Sequence, residues 1–235
     1  MQVLAFASQK GGSGKTTLAG HVAVQAERAG AGPVALIDTD PQGSLSEWWN
    51  EREAETPLFA RTSVAQLPAD LDRMRALGIK LLVIDTPPAI TSTIGHVVRV
   101  SDLVVIPTRP SPHDLRAAGA TVELVEGLGQ PLVFVMNAAT PRARITSEAV
   151  FALSQHGTLA PSIIHHRTDF AASMIDGRTV MELPSTGKSA KEIEALWTYL
   201  SHRLERNHRQ MVVPATTYAI APQAKQNAQA GVTQS

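Results

Sequence analysis

The chain has 235 residues, 43% hydrophobic and 18% charged, enough apolar content for a sizeable core and too much for a disordered chain. Lysine plus arginine matches aspartate plus glutamate at 21 each, which excludes bulk polybasic binding of nucleic acid and leaves only a local basic patch. With no cysteine there is no disulfide framework, no thiolate-ligated cluster and no thiol nucleophile.

Short apolar runs recur at residues 3–7, 34–37, 81–84, 103–106 and 132–136. Continuous apolar character without alternation predicts strands buried on both faces. Helix-like spacing lies between them at 16–29, 67–77, 94–100 and 115–128. Strands alternating with helices predict an α/β fold, a predominantly parallel β-sheet flanked by helices on both faces. Ligands of such sheets bind at the carboxyl ends of the strands, so the polar residues that follow each run carry the function. Further on, 147–156 predicts a helix and 162–164 a short strand or turn. Residues 190–208 predict an amphipathic helix with Ile193, Leu196, Trp197, Leu200 and Leu204 on one stripe. The expected domain spans 1–210, and 211–235, rich in Ala, Gln, Thr and Pro, is expected to be a flexible tail. No apolar run is long enough for a bilayer and no basic leader precedes the first strand, so a soluble, cytoplasmic protein is expected.

Between the first strand and the first helix lies Gln9-Lys10-Gly11-Gly12-Ser13-Gly14-Lys15-Thr16-Thr17, a phosphate-loop pattern whose opening position is Gln9 instead of glycine. Glycines let the backbone curl until several N–H groups face phosphate oxygens, and the helix N-terminus adds positive potential. Lys15 reaches the β- and γ-phosphates, and Thr16 offers a hydroxyl to magnesium. After the second strand come Asp38 and Asp40, two carboxylates near the phosphates; the alternative is a turn that Asp38 caps. Asp85 ends an apolar strand and suits a hydrated magnesium ion. Asn137 ends the fifth run, where its amide either pairs with an adenine edge or caps a turn. His113 is expected at the surface, and the adjacent His165 and His166 are not a zinc pair.

The segment from Lys10 to Thr17 resembles the deviant Walker A of the ParA/MinD family, Asp38 to Gln42 its Asp-x-Asp-Pro-Gln signature, and Asp85 to Pro88 its Walker B. Residues 38–49 and 110–119 are most similar to short ParF-type partition proteins, and 167–170 and 177–182 resemble the C-terminal part of ParA proteins. The likeness covers residues 1 to about 209. It implies a P-loop NTPase of the deviant Walker A (SIMIBI) type using ATP and Mg2+, with weak ATPase activity. By the same resemblance, two chains sandwich two ATP molecules and Lys10 crosses to the partner's nucleotide. Lys10, Lys15 and Asp40 are then the catalytic set, with Asp40 orienting the attacking water, while Thr16, Asp38 and Asp85 surround magnesium. Gly11, Gly12, Ser13, Gly14, Thr17 and Asn137 complete the nucleotide site.

The resemblance also implies non-specific DNA binding by the ATP dimer, nucleoid association and a ParB-like or other adaptor that stimulates hydrolysis. The cargo is then a plasmid, a chromosome or a protein cluster. Residues 142–209 hold nine lysines and arginines against seven acids, so geometry must make any basic surface. The candidates are Arg167, Arg178, Lys188, Lys191, Arg203, Arg206 and Arg209. A MinD-like membrane protein needs a terminal helix with basic and bulky apolar faces. Residues 211–235 hold one lysine and no Phe, Trp or Leu, so stable membrane association is not expected. A nucleotide-gated scaffold with negligible turnover is the other alternative.

Overall fold

The computed structural model describes residues 1–89, 92–184 and 187–212, with side chains to residue 209. The chain runs β1 (Gln2–Phe6), α1 (Lys15–Arg28), β2 (Val34–Asp38), α2 (Ser44–Asn50) and β3 (Leu58–Phe59). It continues through α3 (Leu67–Ala76), β4 (Leu81–Asp85), α4 (Ser92–Arg99), β5 (Leu103–Thr108) and α5 (Pro112–Gly127). The last elements are β6 (Leu132–Met136), α6 (Arg144–Ser154), α7 (Thr168–Met174) and α8 (Lys188–Val212). The strands form one six-stranded sheet in the order β3-β2-β4-β1-β5-β6, with every pairing parallel.

Because side chains alternate along a strand, each strand feeds two apolar layers. Leu4, Phe6, Leu36, Val83 and Val105 join α1, α2, α7 and α8 on one face. On the other, Val3, Ala5, Ile37, Leu82 and Ile84 meet α3, while Val104, Ile106, Phe134 and Met136 meet α5 and α6. Helices therefore cover both faces, and this is why the strands read as unbroken apolar runs. The stripe of Ile193, Leu196, Trp197, Leu200 and Leu204 on α8 is buried in the first layer. Each such side chain contributes about 1.5–3 kcal/mol of burial.

The structure adds three elements to the sequence reading. β3 is two residues long, and α2 and α7 have seven residues each, too short for periodicity to stand out. Residues 162–164 form no strand of their own. The segment from Thr158 to His166 instead lies along β6 through isolated bridges, Phe134 with Leu159 and Ala139 with His165. Pro161, inside that segment, lacks the N–H a continuous ladder needs. α8 reaches Val212, beyond the expected boundary at 210; the rest of the expected tail, 213–235, lies outside the described residues.

Candidate functional site

The sheet sets the site by register. Phe6, the last residue of β1, lies beside Asp85, and Asp85 lies beside Asp38. The phosphate loop and two carboxylates thus leave three adjacent strands at the same end of the sheet. A cavity of about 910 Å³ opens there, walled by Gly11, Gly12, Lys15, Thr16, Asp40 and Glu47 among others.

In the loop, Gly12 (φ 73) and Gly14 (φ 97) take left-handed conformations that side chains resist. Gly14 is also sterically fixed: a Cβ there would stand 2.1 Å from Nδ2 of Asn137. That amide donates to the Ser13 carbonyl at 2.7 Å, and the Asn137 backbone N–H donates to the Thr108 carbonyl at 2.9 Å. Asn137 therefore ties the end of β6 to the loop.

Lys15 is 6% exposed, and its ammonium donates to the Lys10 carbonyl at 3.4 Å. Burial pulls its pKa below the ordinary lysine value, while the charges of Asp85 and Asp40 oppose the shift. Thr16 donates its hydroxyl to Oδ2 of Asp85 at 2.5 Å. Oδ1 of Asp85 is buried without a partner among the described residues. Burial pushes the Asp85 carboxyl up to about 7; the Thr16 hydrogen bond and Lys15 work against the rise, and Asp38 and Asp40 add to it. A buried carboxylate with one open oxygen beside a threonine hydroxyl fits a hydrated divalent cation, whose hard charge prefers oxygen ligands.

Asp38 is held by backbone donors on both oxygens. Its Oδ1 accepts from the Asp40 N–H at 2.9 Å, and its Oδ2 accepts from the N–H groups of Leu45 and Ser46, each at 3.0 Å. Both oxygens serve the loop and first turn of α2, which is the arrangement the turn-capping reading expects. Asp40 has the freer carboxylate: Oδ1 accepts from the Gln42 N–H at 3.0 Å, and the side chain lines the cavity.

On the far side of the loop a smaller cavity of about 160 Å³ is walled by Gly14, Asn137, Ala138, Ile164, His165 and Phe170, with Thr17, Arg109 and Arg167. Ala138 turns the chain there at φ 51. Glu192, on α8, draws this wall together. It accepts from the His165 N–H at 3.0 Å, His165 Nδ1 at 2.8 Å and Arg167 at 2.6 Å. Burial would raise its pKa, but these hydrogen bonds hold it below the ordinary range.

Of the expected basic residues, Arg167 belongs to this cavity wall, and Arg178 pairs with Asp176 at 2.5 Å on an exposed loop. The remaining five share α8. At ~100° per residue, Lys188, Lys191, Arg203, Arg206 and Arg209 fall within about 60° of one line; Arg203 borders the buried stripe beside Leu196, and the other four are turned away from it. All but the half-buried Arg203 are exposed. Among the described residues, no helix is long and apolar enough to cross a membrane.

Sequence reasoning missed a link behind the cavity. Arg52, with a side chain only 2% exposed, donates to both oxygens of Glu182 (2.8 and 3.1 Å) and to the Gly177 carbonyl at 2.6 Å. Its guanidinium lies 5.0 Å from the Trp48 ring centre, and Trp48 Nε1 donates to the Arg178 carbonyl at 3.1 Å. Nothing in the sequence spacing joins residues 130 apart. Arg109 was missed as well, although its place just after β5 is a signal, since strand ends carry the site.

A model of the CobQ/CobB/MinD/ParA nucleotide-binding domain matches residues 4–181. Maintenance of carboxysome distribution protein A of Gloeobacter kilaueensis is 34% identical over 88% of this chain and 96% of its own length. Protein ParA of Rhizobium radiobacter is 25% identical over 81% of this chain and 80% of its own. Among solved structures, an ATP complex of a Cyanothece McdA variant superposes with a TM-score of 0.70 at 19% identity, covering 86% of this chain and 96% of that one.

Proposed function

The chain belongs to the CobQ/CobB/MinD/ParA nucleotide-binding family, and from that premise we propose that it is a positioning ATPase. In this reading, ATP closes a homodimer, the dimer holds DNA without sequence preference, and an adaptor protein couples hydrolysis to movement of a cargo. The observation that carries it is the convergence of Lys15, Thr16 and Asp40 on one cavity, with Asp85 bonded to Thr16 beneath it and Lys10 in the same loop. The names of the relatives, carboxysome distribution and ParA, support a role in placing cargo.

The loop N–H groups between Gly11 and Thr17 receive the phosphate oxygens, and Lys15, already desolvated, neutralises the β- and γ-phosphates. Thr16 and Asp85 would hold Mg2+, which when bound spreads the charge that builds on the phosphate oxygens. Asp40 accepts a hydrogen bond from the water that attacks the γ-phosphorus and so orients it, while Asp38 holds the Asp40 loop in place. Asn137 fixes the loop from the base side. Lys10 is the residue assigned to the partner's nucleotide. The stripe on α8 is the favoured DNA surface, because a dimer presents it twice and phosphate contacts add up.

The test is the oligomeric state and turnover of the full chain. Gel filtration with ATP should give a dimer and with ADP a monomer, and Lys15→Ala should bind neither nucleotide. Asp40→Ala should stay dimeric with ATP and lose hydrolysis. A chain that stays monomeric with both nucleotides would sink the proposal.

A further inference from the structure

The two cavities on either side of the phosphate loop share three wall residues: Gly14, Thr17 and Arg109. Gly14 and Thr17 are the loop itself. Arg109 is the contribution of a different strand and, among the described residues, the only charged side chain common to both walls. Its main chain is fixed on both sides: Thr108, before it, is 2% exposed and accepts from the Asn137 N–H, while the Arg109 carbonyl accepts from the Ser111 N–H at 2.8 Å. The guanidinium itself is exposed, with no hydrogen-bond or ion-pair partner among the described residues. The other arginines around the site, Arg52 and Arg167, are each committed to a glutamate.

Resting on the nucleotide-binding reading above, we propose that Arg109 binds the α-phosphate of the nucleotide. With Lys15 and Thr16 in the larger cavity and Asn137 in the smaller, a nucleotide spans both, its sugar and α-phosphate passing the residues the two walls share. A guanidinium there offers a planar fork of donors to phosphate oxygens, and an anchored backbone aims it with little ordering left to do. The contact is common to di- and triphosphate, so it secures the nucleotide without reporting whether the γ-phosphate is present.

Titration calorimetry at fixed salt and Mg2+ tests this with the full chain and its Arg109→Ala and Arg109→Lys variants. Arg109→Ala should weaken ATP and ADP by the same factor, about tenfold or more. Arg109→Lys should restore part of it, and the ADP/GDP preference and melting temperature should stay those of the parent. Unchanged affinities for Arg109→Ala would overturn the assignment. So would a loss confined to ATP, which places the arginine at the γ-phosphate, or an altered ADP/GDP ratio, which places it on the base. If the parent chain binds neither ATP nor ADP, the nucleotide-binding reading itself falls.

Discussion

Asn137 and Ser13, 124 residues apart, are joined by one hydrogen bond of 2.7 Å, and the space it leaves at Gly14 has no room for a methyl group. Gly14→Ala therefore meets both a clash and a left-handed φ, the latter alone costing about 1–2 kcal/mol. Nucleotide affinity should fall by more than tenfold. In the double variant Gly14→Ala/Asn137→Ala the clash is gone and the backbone strain remains, so stability should recover only in part. Denaturant unfolding of the four proteins of that cycle measures the coupling.

Asp38 and Asp40 should separate cleanly. Asp38→Ala removes the acceptor of three backbone N–H groups, at about 1–3 kcal/mol for each donor left buried. Its melting temperature should drop by several degrees, with hydrolysis reduced because the loop loosens. Asp40→Ala should melt like the parent and lose turnover. Equal melting temperatures for the two variants would contradict the capping role.

Removing Arg52 strands Glu182 in a half-buried position, and truncating one partner of a buried pair costs about 3–5 kcal/mol. Arg52→Ala should be destabilised on that scale, and Arg52→Ala/Glu182→Ala by less than the sum of the singles. The hydrogen bonds from Arg52 and Thr179 overcome the burial that would raise the Glu182 pKa and hold it below its ordinary value. The pair's stabilisation is thus present above the ordinary glutamate pKa and fades as acid protonates it.

His21 gives the fold a pH dependence of its own. The ring is fully buried; Nδ1 donates to the Thr17 carbonyl at 2.7 Å, and Nε2 has no partner among the described residues. Burial pushes its pKa down to about 4, against the ordinary 6.5 of a free histidine. Between those two values the unfolded chain holds a proton that the folded chain refuses, so stability falls as pH drops from about 6.5 towards 4. At ~1.4 kcal/mol per unit the full loss is about 3 kcal/mol. Urea unfolding of parent and His21→Gln across this range should show the excess slope only in the parent.

The stripe on α8 is tested by charge reversal. Lys188→Glu, Lys191→Glu and Arg206→Glu together should weaken DNA binding of the ATP form at least tenfold. Each removed phosphate contact should also lower the salt slope by about 0.9. These side chains are exposed, so the melting temperature should hardly move. Unaltered binding would move the DNA surface elsewhere.

The parallel sheet, its covering helices and the phosphate loop were legible because each is local: an unbroken apolar run, a helical period, a glycine-lysine spacing. The position of Asp85 beside the loop followed from order along the chain. Asp38 was harder, because two aspartates two apart look alike until the N–H groups of Leu45 and Ser46 are in place around one of them. The Arg52–Glu182 pair and the Glu192–Arg167 contact were invisible, since each joins segments that only the folded layers bring together. The stripe on α8 was half legible: its residues were named, but Arg167 and Arg178 could be separated from them only once the fold placed one in the wall of the smaller cavity and the other on the Asp176 loop.

Because α8 devotes one side to the interior and keeps Lys188, Lys191, Arg206 and Arg209 on its exposed side, the residues that hold the molecule together are not those that face its surroundings. Those outward charges can therefore be exchanged, reversed or erased without disturbing the sheet or the loops at its carboxyl end. A fold so divided can vary its outer face while keeping its core.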